Sequence, residues 1–165
     1  MSGFEAISPA PDGFVLRLGP DERTVVVRLL DELRALLAGD EESAAAASAL
    51  VRLFPVVHPH DPEGEAEYQR LMRDELLASR IAAIDVVTGV LTADGAASTP
   101  VVTLSEEQLL TFMQAVNGVR LVLGTVLDVS EDETAADLTG ALAPEYHVYA
   151  YLSWLLDSAV DALSR

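Results

Sequence analysis

The amino-acid sequence predicts a mainly α-helical single domain, a bundle of five to six helices with a short two-stranded β element. Three observations predict it. Long segments carry apolar residues at helical spacing. Those segments open on proline, acidic or capping-box signals, and some close near glycine. Only two short stretches, Phe14–Leu18 and Val101–Leu104, read as strands, and they are available to pair with each other. The 165 residues fit one domain spanning 1–165, with a flexible leader at 1–12 and a flexible loop at 92–100.

In order, the prolines of Ser8-Pro9-Ala10-Pro11 argue against regular structure in the leader, and Asp12-Gly13 suits a turn before the first strand. Asp21 and Glu22 open a helix to Leu37, whose stripe is Val26, Leu29, Leu30, Leu33, Leu36 and Leu37, with Gly39 at its C-terminal cap. Alanine-rich Ser43–Leu53 reads as a short helix that Pro55 ends. Asp61-Pro62-Glu63 supplies a cap, a proline at the first helical position and an acidic first turn. The helix that follows runs from Pro62 to about Leu91, as one helix or as two broken near Ser79. Its inner face comprises Tyr68, Leu71, Met72, Leu76, Ile81 or Ala82, Ile84, Val87 and Leu91. Ser105 and Gln108 form a capping box for a helix from Glu106 to about Leu127, with Asn117-Gly118 at its middle as a kink or a point of close approach. A short helix is expected between Ser130 and Gly140. The last helix, Tyr146–Leu163, is apolar nearly all round.

Acidic residues outnumber basic ones 27 to 10, all ten of the latter arginine, for a net charge of -17. This field repels phosphate backbones and anionic membranes, so the charge argues against nucleic-acid binding. The absence of cysteine removes disulfides, thiolate catalysis and cysteine-ligated zinc, and the absence of lysine removes Schiff-base chemistry. No uninterrupted apolar run reaches the roughly 20 residues of a membrane span, and no signal peptide is visible. The expected location is cytoplasmic. No phosphate loop or Gly-x-Ser-x-Gly elbow is present, so no cofactor and no enzymatic activity are expected.

Four constellations carry chemistry. His58, His60 and Asp61, with Glu63 close by, have the composition of a metal site but poor spacing for one; the simpler reading is a proline-rich loop whose Asp61 caps a helix. Arg120 and Asp85 are charged residues set in apolar stretches. A buried ion pair between them would fix helix register, with Asp157 as a second candidate partner. Arg80, Asn117 and Arg120 could instead form an anion pocket, and Arg120 could also snorkel to solvent. The last helix shows two apolar stripes. One is Tyr149, Leu152, Leu156, Ala159 and Leu163; the other, Val148, Tyr151 and Leu155 with Trp154 at its edge, either packs within the chain or forms a homodimer interface.

Several segments resemble the actinobacterial proteins grouped as domain of unknown function 2017 (DUF2017). They are Arg52-Leu53-Phe54-Pro55; Asp61-Pro62-Glu63 leading into Glu67-Tyr68, Leu71 and Leu76; the run from Asn117 to Thr125; and Tyr149 with Leu152-Ser153-Trp154-Leu155. The resemblance spans about Phe14 to Leu163, and Arg120-Leu121-Val122-Leu123-Gly124-Thr125 is its most specific part. It implies a small cytoplasmic protein of unassigned activity, with a gene often near that of the Clp protease adaptor, which suggests protein quality control. Some members carry a transcriptional-regulator label, which the charge does not support. The resemblance supplies no catalytic residues, and histidines are not typical at positions 58 and 60.

The leading expectation is therefore an adaptor-like interaction protein whose partner is another protein or a second copy of itself. The alternatives are a small-molecule or anion sensor with an arginine–tyrosine pocket, and a transcriptional regulator.

Overall fold

The computed structural model describes residues 4–39, 48–93, 99–127 and 143–165. The described chain runs β1 (Ile7–Ala10), β2 (Gly13–Arg17), α1 (Pro20–Leu37), α2 (Pro62–Leu91), β3 (Val101–Leu104), α3 (Glu106–Val126) and α4 (Ala143–Leu163). Residues 48–50 are also helical. The first part of the expected Ser43–Leu53 helix, most of the 92–100 loop and the expected helix between Ser130 and Gly140 lie outside the described residues.

The β element has three strands in the order β1-β2-β3, both pairs antiparallel. Pairing of β2 with β3 is as expected, with Phe14 opposite Leu104 and Leu16 opposite Val102. The added strand comes from the leader, a correction to the reading of 1–12 as flexible. Proline is compatible with this strand because of its position. Arg17 N–H donates to Ala6 C=O at 2.7 Å. The alternation of an antiparallel ladder then puts the Pro9–Phe14 pair at a non-hydrogen-bonded site, on an edge strand where no N–H is needed. Gly13 closes the hairpin at φ +139°, a conformation that side chains disfavour, and a Cβ there would meet Leu104 C=O at 2.3 Å. The far end of the 92–100 loop is also held: Leu18 N–H donates to Pro100 C=O, and the buried Arg23 donates Nη2–H to Thr99 C=O.

The helix ends follow their local chemistry. Pro20 occupies the first position of α1, and Gly19 N–H donates to Glu22 Oε2 at 2.8 Å. Gly39, at φ +78°, ends the helix as its permissive backbone allows. Asp61 Oδ1 accepts from Gly64 N–H at 3.0 Å to cap α2, which is a single helix through Ser79. Glu67 and Arg70 pair along its exposed side at 2.7 Å. Ser105 and Gln108 complete the expected capping box of α3.

Helix α3 is the hub, packing on α1, α2, α4 and two strands. Leu109, Phe112, Ala115, Val116 and Val119 are buried there. By length and mean composition α3 is long and apolar enough to cross a membrane, although polar residues such as Asn117 and Arg120 interrupt its apolar run. Several of its apolar side chains pack in the bundle core. Only the C-terminal part of α2 joins this core, through Ala83, Ile84, Val87 and Leu91. Leu71 and Leu76, expected on its inner face, are exposed.

Candidate functional site

Helix α4 settles first which surfaces are available. Leu152, Leu155, Ala159 and Ala162 face the core, and Leu155 is 0% exposed. This corrects the placement of Leu155 at a homodimer interface: the chain's own helices cover it. Val148 is half-buried against the same core. Tyr151 is half-buried beside Trp154, with ring centroids 5.8 Å apart, and Trp154 stacks on Phe4 at 6.2 Å. The Tyr151 hydroxyl is buried without a hydrogen-bond partner, and burial, with a smaller effect of Glu22, pushes its pKa up. The two stripes read from the sequence thus merge into one broad inner face. The outer side carries His147, Ala150, Trp154, Asp157, Val160 and Asp161, a mixed polar surface.

The expected Arg120–Asp85 pair does not form. Arg34 Nε–H donates to Asp85 Oδ1 at 2.7 Å and Nη2–H to Oδ2 at 3.3 Å. Arg34 holds the carboxyl below its usual pKa. The correction has a simple cause. Ile84 and Val87 point into the core, whereas Asp85 is exposed on the edge facing Arg34 of α1. An apolar sequence neighbourhood is not an apolar helix face. Arg120 donates Nε–H and Nη2–H to Asn117 Oδ1, at 3.2 and 3.0 Å, and lies 5.9 Å from the centre of the Tyr149 ring. Asp157, the second candidate, is exposed on the outer side of α4.

Arg120 and Asn117 thus sit beside Tyr149, and a second arginine–aromatic group lies at Phe54. The buried Phe54 ring has Arg73 at 4.7 Å and Arg80 at 5.8 Å. Arg80 is half-buried, donates Nη2–H to Leu53 C=O at 3.1 Å, and is pushed to a lower pKa by that burial. The glycines of α3 make room for these contacts. A Cβ on Gly118 would stand 3.2 Å from Leu33 and 3.9 Å from Arg80 Nη1; one on Gly124 would stand 3.0 Å from Arg52 Nη1 and 3.2 Å from Tyr149. The alternative reading of Asn117-Gly118, close approach within an unbroken helix, is the one realised.

The second feature is a groove between α1 and α3, missed in the sequence. It has a volume of about 230 Å³ and, among the described residues, is lined by Leu29, Leu33, Leu36, Val119, Val122, Leu123 and Val126, with Glu32 as the one charged residue. Leu29, Leu36, Val122 and Leu123 are half-buried, and Val126 is 58% exposed. The signal was present as stripes wider than one helix contact requires: leucines at 29, 33 and 36 and aliphatics at 119, 122, 123 and 126 repeat at three- and four-residue steps.

The histidine loop takes another form. His58 meets Tyr68 edge-on at 5.9 Å, and Val57 and His58 N–H both donate to Glu65 Oε2. Hydrogen bonds from Gln69 and then from the His58 backbone hold the Glu65 carboxyl below its usual pKa. His60 is exposed, and Asp61 is engaged in the cap. Among the described residues, no group of three or more histidine, aspartate or glutamate side chains is placed to hold a metal ion.

No curated protein and no solved structure matches the chain. Phe54, and separately Asn117, Arg120 and Tyr149, lie in the segments that carry the resemblance, and the match is not confined to them: a family profile covers residues 1–163, and the chain belongs to the family described as Domain of unknown function (DUF2017).

Proposed function

We propose that this chain is a non-enzymatic interaction protein that docks an amphipathic helix of a partner protein in the groove between α1 and α3. The observation that carries this reading is the groove lining, seven aliphatic side chains and one charge among the described residues. At about 230 Å³ and open to solvent, it is smaller than the roughly 300–1,000 Å³ of a typical small-molecule pocket. Two ridges at helical spacing suit a third helix laying leucine-sized side chains between them. Charge complementarity selects the occupant. Glu32 stands on the groove wall and the chain carries a net charge of -17, so a partner helix with basic residues beside its aliphatic face is favoured over an acidic one or a second copy.

The test uses two synthetic helical peptides with the same leucine spacing, one flanked by arginine and one by glutamate. Fluorescence anisotropy with the full chain should show saturable binding of the basic peptide, weaker binding of the acidic one, and at least a tenfold loss for Val126→Asp. Equal binding by the parent and Val126→Asp would contradict the reading. A dimer in sedimentation equilibrium that Val126→Asp dissolves would assign the groove to a second copy instead.

A further inference from the structure

We propose that the cavity where the sheet meets the start of α1 binds a small zwitterion, an α-amino acid or a peptide of two or three residues with free termini. The cavity shares no lining residue with the groove between α1 and α3, and the proposal does not rest on the docking reading.

The cavity has a volume of about 490 Å³, within the range of small-molecule sites. Among the described residues, its wall includes Phe4, Arg17, Asp21, Glu22, Pro100 and Val101. The fold brings them together. Arg17 stands opposite Val101 in the β2–β3 ladder, and the chain leaves β2 directly for α1, whose first turn carries Asp21 and Glu22.

One guanidinium and two carboxylates thus share a cavity, yet no N···O contact within 4.0 Å joins Arg17 to either acid. Other contacts hold them apart. Arg17 Nη1–H donates to Ser8 Oγ at 2.8 Å and to Glu5 C=O at 3.4 Å. Both carboxylate oxygens of Glu5 are taken by Arg165. Glu22 Oε2 accepts from Gly19 N–H at 2.8 Å. Arg17 keeps Nε–H and Nη2–H, a parallel pair of donors that matches the two oxygens of a carboxylate. The exposed Asp21 carboxylate and Glu22 Oε1 are acceptors for an ammonium group. The carboxylate contact falls to Arg17 rather than to the helix start, where Pro20 has no N–H and Gly19 N–H is on Glu22.

Charges of both signs held apart in one cavity suit a ligand that carries both. A simple anion would meet two carboxylates, and the net charge of -17 repels it from a distance. A simple cation would meet Arg17. A zwitterion offers that field no net charge, and each of its ends finds a counter-charge. The apolar wall selects further. Phe4 is 69% exposed, but its ring stacks on Trp154 at 6.2 Å, and Trp154 in turn lies 5.8 Å from Tyr151. A ring braced by a second ring, beside the exposed Pro100 and Val101, favours a ligand with an aromatic or aliphatic side chain.

The experiment is calorimetric titration of the full chain with the dipeptide alanyl-phenylalanine. Its N-acetylated form, its C-terminal amide and free phenylalanine are the comparators. The dipeptide should bind saturably, and acetylation or amidation should each weaken it at least tenfold. Arg17→Gln should weaken the free dipeptide at least tenfold but leave the already weak amide unchanged, a pattern that a merely structural role of Arg17 would not give. Asp21→Asn and Phe4→Ala, both at exposed positions, should each weaken the dipeptide at least threefold without lowering the melting temperature. Arg70→Gln, on α2, should leave binding unchanged. Tighter binding of the dipeptide than of phenylalanine makes a short peptide the ligand; the reverse order makes it the free amino acid. No saturable heat would overturn the proposal. So would equal binding of the free, acetylated and amidated dipeptides, or equal binding by parent, Arg17→Gln and Phe4→Ala.

Discussion

Arg34 of α1 and Asp85 of α2, 51 residues apart, are joined by two parallel hydrogen bonds at the seam between their helices. Arg165 and Glu5 make a similar two-point contact between the chain's two ends, at 2.6 and 3.2 Å. Both pairs are about half-exposed, so they fix which elements are neighbours more than they stabilise the fold.

These pairs set a pH signature. Hydrogen bonds from Arg34 and Arg165 hold the Asp85 and Glu5 carboxyls below their usual values of 3.8 and 4.5. A carboxyl with a lower folded pKa contributes stability that is whole above its unfolded pKa and is lost as pH falls through the folded one. The stability difference between the parent and the double variant Glu5→Gln/Asp85→Asn should therefore be constant from pH 7 to about 5 and shrink below about 4. Taking the difference cancels the general relief of acidic self-repulsion. Urea melts across this range check it; a difference that grows toward low pH would contradict the assignment.

Arg120→Ala should cost about 1–2 kcal/mol, the scale of a charge-assisted hydrogen bond with a partial cation–π contact. A buried ion pair would have made it about 3–5 kcal/mol, because the partner charge would be stranded. Here the group left behind is the neutral Asn117 amide. Chemical denaturation distinguishes the two ranges.

On α4, Leu155→Ala should cost about 2–5 kcal/mol as a core truncation, whereas Val160→Ala, at a site 52% exposed, should stay within about 0.5 kcal/mol. Concentration-independent melts would place Leu155 in the monomer's core. A Leu155→Ala loss that appears only above a dimerisation concentration would return it to an interface.

Helical glycines separate packing from propensity. Gly89 has no atom within 4 Å of a built Cβ, so Gly89→Ala should stabilise by about 0.8–1 kcal/mol. Gly124→Ala gains the same propensity but presses on Arg52 and on the Tyr149 ring, and should gain less or lose outright. Thermal melts of the two variants, side by side, give the comparison.

Local signals in the sequence are legible because local chemistry settles them. The Asp61 cap needs only Gly64 N–H three residues on, and the Ser105–Gln108 box closes on itself. The pairing of Phe14–Leu18 with Val101–Leu104 was legible because few other segments could serve. The edge strand Ile7–Ala10 was not, because Pro9 is harmless only in one ladder register, which depends on its partner. The role of Arg34 is not legible for the opposite reason. Nothing about an exposed arginine in an amphipathic helix announces a partner 51 residues away. The groove escaped because a stripe of leucines looks the same whether its outer members are covered or open; only the assembled helices show Leu36 and Val126 with solvent beside them. The contacts of Phe54 with Arg73 and Arg80 are not legible in the sequence, because they arise only when the Arg52–Pro55 segment lies against α2.

The most direct test of the docking account is methyl-resolved NMR of the full chain, titrated with the arginine-flanked leucine peptide. Methyl resonances of Leu29, Leu36, Val122, Leu123 and Val126 should shift together and saturate, while those of the sheet-side core residues Ile7, Leu16 and Val102 stay in place. Shifts confined to other surfaces, or none at saturating peptide, would contradict the claim that the groove between α1 and α3 is where this protein meets its partner.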